Sequence, residues 1–197
     1  TYQSGTGLKG SGIWEVNPSI VDALDDAFYM SFDNVVPTGK RIMMSLDVSA
    51  SMTWNGCGGM PSITPRVGSA AMAMVNMRTE SDYLINAFTS IGGGWDNSGL
   101  SQLDISPKMR LDDVLNKVDN LDFGGTDCSL PMKYALENNL EVDAFVVYTD
   151  SETWAGKGHP VETLRDYRKQ TGIPAKLIVV GMEANPFTIA DPDDSGM

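Results

Sequence analysis

The chain has 197 residues, 42% of them hydrophobic, with 14 Lys and Arg against 26 Asp and Glu and a net charge of −12. That length supports one complete core rather than two, and the acidic balance sets up no field that attracts phosphate backbones, so nucleic acid is not expected as a direct partner of these residues. Apolar runs such as "KLIVVG" fall far short of the roughly 20 residues of a bilayer crossing, and Cys57 and Cys128 stand far apart in no C-x-x-C pair, which argues against a disulfide scaffold; the expectation is a soluble, cytoplasmic chain with no membrane partner.

Residues 1–16 are rich in Gly, Ser and Thr and carry no periodicity, as in an extended lead-in strap to a domain over 17–197. "NPSIVDALDDAFYMSF" predicts a helix over 17–32, with Asn17 as N-cap, Pro18 in the first helical position, and Ile20, Leu24, Ala27 and Phe28 on one face. "KRIMMSLD" is a short, nearly continuous apolar run and predicts a strand buried on both faces. A helix follows from Pro65 to Glu80, capped by Thr64, with Val67, Ala70, Ala71, Met74 and Met77 inward; its methionines at helical spacing read as core filler.

"DYLINAFT" is the next strand, "SIGGGWDNSG" a glycine-rich loop, and "SQLDI" a short edge strand. "SPKMRLDDVLNKVDNL" predicts a helix with Ser106 as cap, and "CSLPMKYALENNL" another. Then come the strand "VDAFVVYTD", a helix from His159 ending at Gly172, the strand "AKLIVVG", and a last short strand at "FTIA". Strands alternating with helices in this way predict an α/β fold, a mostly parallel sheet covered by helices on both faces.

In such sheets ligands sit outside the carboxyl ends of the strands. Asp47 ends the first strand, Asp150 ends a later one, and "GGTD" at 124–127 precedes a helix at what should be the same rim. The alternate spacing of Asp47, Ser49 and Ser51 lets one tight loop turn three oxygens the same way. With Thr126 and Asp150 they make a hard-oxygen donor set of the kind Mg²⁺ takes, with waters completing about six positions. Two carboxylates and three neutral hydroxyls satisfy the ion less than three or four carboxylates would, which leaves it an appetite for an acidic group from outside.

Asp47-x-Ser49-x-Ser51, Thr126 in "GGTD" and Asp150 in "YTD" resemble the metal-ion-dependent adhesion site of von Willebrand factor A domains. More narrowly, "PTGKRIMMSLDVSASM", "GGTDCSLPM", "TDSETWAGKGHPVETLRDYRK" and "IPAKLIVVGMEANPFTIADPDDSGM" resemble the A domain of Ro (TROVE) ribonucleoprotein-associated proteins, over nearly the whole chain. The resemblance implies a doubly wound, Rossmann-like sheet with one short antiparallel edge strand. It implies Mg²⁺ at the rim, with Mn²⁺ or Ca²⁺ as substitutes, held by Asp47, Ser49, Ser51, Thr126 and Asp150, and a partner presenting a carboxylate. Full-length members bind noncoding RNAs such as Y RNA, chiefly through a ring of helical repeats that these residues do not contain.

Beside the metal loops, Asp127 is expected to cap the helix after it or else to orient Thr126. Trp54, Trp95 and Trp154 lie near the rim, either as partner-contact residues or as packing under long loops. His159, the lone histidine, reads as a surface or loop-packing residue, since no G-x-S-x-G elbow accompanies it. The leading expectation is therefore a non-enzymatic, metal-dependent binding module. One alternative is a haloacid-dehalogenase-type Mg²⁺ phosphatase with Asp47 as nucleophile, although Ser49 stands where that chemistry places a second acid. The other is a purely structural domain with an empty site.

Overall fold

The computed structural model describes residues 2–7, 11–90, 98–121, 124–150, 158–184 and 188–197. Five strands form one sheet: β1 (Ile42–Asp47), β2 (Tyr83–Phe88), β3 (Leu100–Gln102), β4 (Ala144–Thr149) and β5 (Lys176–Gly181), in the spatial order β3-β2-β1-β4-β5. β1 runs parallel to β2 and β4, and β4 to β5, while β3 pairs antiparallel with β2. The doubly wound sheet with a short antiparallel edge, expected from the sequence, is the observed one.

All six residues of β1 are buried, as its central place requires. Ile42, Met44, Leu46 and Val48 meet Ala70, Ala73, Met74 and Met77 of α2 (Pro65–Thr79) and Val114 and Val118 of α3 (Leu111–Asp119) on one face. Met43, Phe145, Val147 and Leu177 meet Leu130, Met132 and Ala135 of α4 (Leu130–Glu137) and Leu164 and Tyr167 of α5 (Pro160–Thr171) on the other. The two apolar layers explain why the central strands β1 and β4 read as apolar runs rather than alternating ones. Met74 and Met77 are core residues, as the helical spacing indicated.

Local chemistry sets the helix ends. Asn17 accepts from Ser19 N–H ahead of α1 (Pro18–Met30), and Thr64 Oγ1 from Val67 N–H ahead of α2. His159 Nδ1 accepts from Val161 N–H, so the lone histidine is an exposed cap of α5. Gly172 closes that helix in the left-handed conformation that glycine adopts at least cost. Ahead of α1 the chain folds back on itself: Thr6 bridges Ile13, and Trp14 Nε1 donates to the Tyr2 carbonyl at 3.0 Å.

Three local expectations are corrected. No residue of α1 is fully buried, and Ile20 and Leu24 of the expected face are 43% and 52% exposed; of that face Phe28 does pack against the core, joined by Tyr29 and the following Phe32. The helix expected from Ser106 starts at Leu111, because Arg78 of α2 takes the carbonyls of Pro107 and Met109 and holds 107–109 as a separate turn. Residues 188–190 of "FTIA" are not a strand: Thr188 Oγ1 accepts Ala190 N–H in a local turn, and Ile189 packs into the α4–α5 core. Phe187 lies outside the described residues.

Candidate metal site at the carboxyl end of the sheet

β1 continues to β2 on one side while β4 lies on its other side, so the strand order reverses between β1 and β4. A crevice opens at such a reversal, and the carboxyl ends of the strands line it. Asp47 is the last residue of β1, and Asp150 follows the last residue of β4. Both are buried, at 1% and 2% exposure.

Burial alone does not hold a carboxylate in such a place; it must be hydrogen bonded. Asp47 Oδ1 accepts the Ser49 N–H at 2.8 Å, and Oδ2 accepts the Thr149 hydroxyl at 2.7 Å across the β1–β4 pair. A carboxylate has about four acceptor positions, so both oxygens keep capacity. Desolvation is the main influence on the group and raises its pKa to about 6; hydrogen bonds from Ser49 and Thr149 oppose the rise, and the charge of Asp150 adds to it. That influence of Asp150 places the two acids in one electrostatic neighbourhood.

The loop after Asp47 turns at once into a short 3-10 segment, Ala50–Thr53. Its turn brings Ser49 Oγ and Ser51 Oγ to 3.1 Å from each other. Two ligands at roughly 2.0–2.1 Å in neighbouring octahedral positions stand about 2.8–3.0 Å apart; the serine pair, hydrogen bonded at 3.1 Å, is slightly wider than that edge. Among the described residues no three His, Cys, Asp or Glu are grouped to hold a metal; the donors at this rim are hydroxyls and two carboxylates, a set suited to hard cations rather than zinc or copper.

The third loop hangs on β2. Thr89 follows Phe88, the residue in register with Asp47. The Thr89 hydroxyl donates to the Gly125 carbonyl at 2.8 Å, and its own carbonyl accepts Asp127 N–H at 2.8 Å, so Thr126 is held between two anchors and is 1% exposed. Gly124 leaves room for that approach, since a Cβ there would lie 2.5 Å from Thr89 Oγ1 and force the hydroxyl or the loop to shift. The structure thus carries Asp47, Ser49 and Ser51 at the end of β1 and on the loop after it, Asp150 directly after β4, and Thr126 on the segment between α3 and α4, tied to the carboxyl end of β2 through Thr89.

Asp127 is turned to local work. Its Oδ1 accepts both the backbone N–H, at 3.0 Å, and the hydroxyl of Ser129 at the start of α4, and its Oδ2 pairs with Lys133 at 3.3 Å. Asp127 thus ties down the turn ahead of α4, whose N-cap is Ser129. Trp54 follows the serine loop and is 73% exposed. Trp95 and Trp154 lie outside the described residues. Sequence reasoning missed Thr149 and Thr89; a hydroxyl directly before Asp150 was the available signal for the first, and no neighbouring candidate marked the second.

A five-stranded doubly wound sheet with two acid-ended strands at its reversal point is the architecture of a von Willebrand factor A domain. A model of the Ro60 vWA domain matches residues 41–197, and the chain belongs to that family. It is similar to an RNA-binding protein RO60 of Deinococcus radiodurans, with 42% identity over 196 residues, covering 100% of this chain and 35% of that protein. It is similar also to an RNA-binding protein RO60 of Caenorhabditis elegans, with 43% identity over 197 residues, covering 100% and 29%. The crystal structure of the Deinococcus radiodurans RO (RSR) protein superposes with a TM-score of 0.85 at 42% identity, covering 100% of this chain and 38% of that one. The chain therefore spans about a third of the length of the curated relatives it matches.

Proposed function

We propose that this chain is a metal-dependent ligand-binding domain of a Ro-type RNA-binding ribonucleoprotein. Mg²⁺, or in its place Mn²⁺ or Ca²⁺, is held by Asp47, Ser49, Ser51, Thr126 and Asp150 and recruits an acidic group of a partner. The observation that carries the reading is the 3.1 Å Ser49–Ser51 hydroxyl pair beside the buried Asp47 carboxylate, a hard-oxygen edge prepared at the reversal point of the sheet. When bound, the cation offers a Lewis-acidic position to a partner's carboxylate. The protein's share is to hold its own oxygens in place and to keep Asp47 away from bulk water.

The relatives named RNA-binding proteins are about three times as long as this chain. RNA, including small structured noncoding RNA such as Y RNA, is accordingly assigned to a whole protein of that kind and to parts outside these residues, whose net charge of −12 repels a phosphate backbone. Binding rather than catalysis is part of the same reading, because Ser49 occupies the place where a phosphatase of the haloacid-dehalogenase type carries its second acid. The cytoplasm remains the proposed location, and no described helix is long and apolar enough to cross a membrane.

The test is a fluorescent glutamate-containing peptide titrated with the 197-residue chain. Binding should require Mg²⁺, vanish with EDTA and vanish in Ser51→Ala. Equal binding with and without the ion would contradict the proposal, as would tight RNA binding by this chain alone at physiological salt.

A further inference from the structure

Arg66 is the second residue of α2 and is 3% exposed. Both facts are costly: a buried guanidinium loses its hydration, and a cation in the first turn of a helix faces the positive end of the helix dipole. Its contacts show what offsets the cost. Nη2 donates to the carbonyls of Val48 at 3.0 Å and Ser49 at 3.2 Å, and Nη1 pairs with Asp119 Oδ1 at 2.9 Å. Val48 and Ser49 are the residues directly after Asp47, so the guanidinium grips the backbone of the serine loop from the α2 side while the Asp47 carboxylate takes the Ser49 N–H. The two side chains of the pair differ sharply: Arg66 is 4% exposed and Asp119, at the end of α3, is 58% exposed.

We propose that Arg66 is a positioning residue for the metal-binding loop and that Asp119 is its outer anchor, so that the carboxyl end of α3 sets the geometry of the cation site. This rests on the metal reading above. A planar fork that satisfies two carbonyls and one carboxylate at once is a task for arginine; an ammonium has no such fixed geometry. Holding the loop in advance removes the ordering cost from the binding step, and a group that captures Asp119 from solvent loosens the loop from a distance.

The experiment pairs hydrogen exchange on the metal-free chain with Mg²⁺ calorimetry, in wild type, Arg66→Met, Arg66→Lys and Asp119→Asn. In Arg66→Met the amides of Ser49, Met52 and Trp54, all hydrogen bonded within the loop, should exchange faster, and Mg²⁺ binding should weaken by roughly 10-fold or more, as for loss of a group that orients metal ligands. Arg66→Lys should follow Arg66→Met rather than wild type, and Asp119→Asn should move both readouts the same way by less. Full recovery in Arg66→Lys, or exchange and affinity both unchanged in Arg66→Met, overturns the proposal. Should Arg66→Met not fold, Asp119→Asn decides: a shift in loop exchange supports the proposal and no shift overturns it. A wild-type chain that ignores Mg²⁺ defeats the metal reading separately, since the exchange comparison needs no ion.

Discussion

The Thr149 hydroxyl donates to Asp47 Oδ2 at 2.7 Å, joining the last residue of β4 to the last residue of β1 inside a buried rim. A hydrogen bond to a charged acceptor contributes about 1.5–3 kcal/mol where water is excluded. Thr149→Val keeps the shape and removes the donor, so it should lower the metal-free unfolding free energy by about 1–3 kcal/mol at neutral pH, read from urea denaturation. An unchanged midpoint would show that Asp47 draws nothing from this bond.

Acid dependence follows from the same carboxylate. Burial raises Asp47 from 3.8 to about 6 in the metal-free protein. A raised carboxyl favours folding in its protonated form, so its contribution is fully present below the unfolded pKa and is lost as pH rises through about 6. The loss is on the order of 3 kcal/mol for a shift of this size. Mg²⁺ requires the ionised form and competes with the proton. The thermal shift produced by Mg²⁺ should therefore be full above about pH 7 and fade below about pH 5. Melting curves with and without the ion across that range check the sign, and a shift that persists unchanged into acid would contradict it.

Gly124 separates stability from site geometry. An alanine Cβ there would come within 2.5 Å of Thr89 Oγ1, the group that holds the Gly125 carbonyl. Gly124→Ala should displace the Thr126 loop and weaken Mg²⁺ binding by roughly 10-fold or more, the scale seen when a ligand's support is lost, with little effect on the sheet below. Calorimetry measures the affinity, and unaltered affinity would remove Thr126 from the site.

Beneath the rim, Ser45 on β1 and Asn86 on β2 are in register, and Ser45 Oγ and both polar atoms of the Asn86 side chain are buried with no hydrogen-bond partner among the described residues. Replacing both partners by apolar groups of similar shape is neutral or stabilising when such groups are unsatisfied. The double variant Ser45→Ala and Asn86→Leu should match or exceed the wild-type denaturation midpoint in urea. A marked loss would mean that the pair is hydrogen bonded in solution.

Much of this arrangement was legible in the chain. Apolar runs of strand length at 42–47 and 144–149 become central strands because both faces are covered, and Pro18, Thr64 and Gly172 mark helix ends by purely local chemistry. What the sequence concealed depends on contacts between distant segments. Nothing near Ser106 shows that Arg78 will take the carbonyls of Pro107 and Met109, and nothing near Ile20 shows that α1 packs through its last turns. The D-x-S-x-S loop was visible as a pattern, but its supports, Thr149, Thr89 and Arg66, are single polar residues brought to it by the register of three strands and by one helix start.

The most direct measurement is calorimetric titration of Mg²⁺ into the metal-free chain and into Asp47→Asn, which keeps the shape of the buried side chain and removes its charge. The account predicts one saturable site in the wild type and none at the same concentrations in Asp47→Asn, with both proteins folded. Binding of equal strength in the two, or no heat in the wild type with Mg²⁺, Mn²⁺ or Ca²⁺, would contradict it.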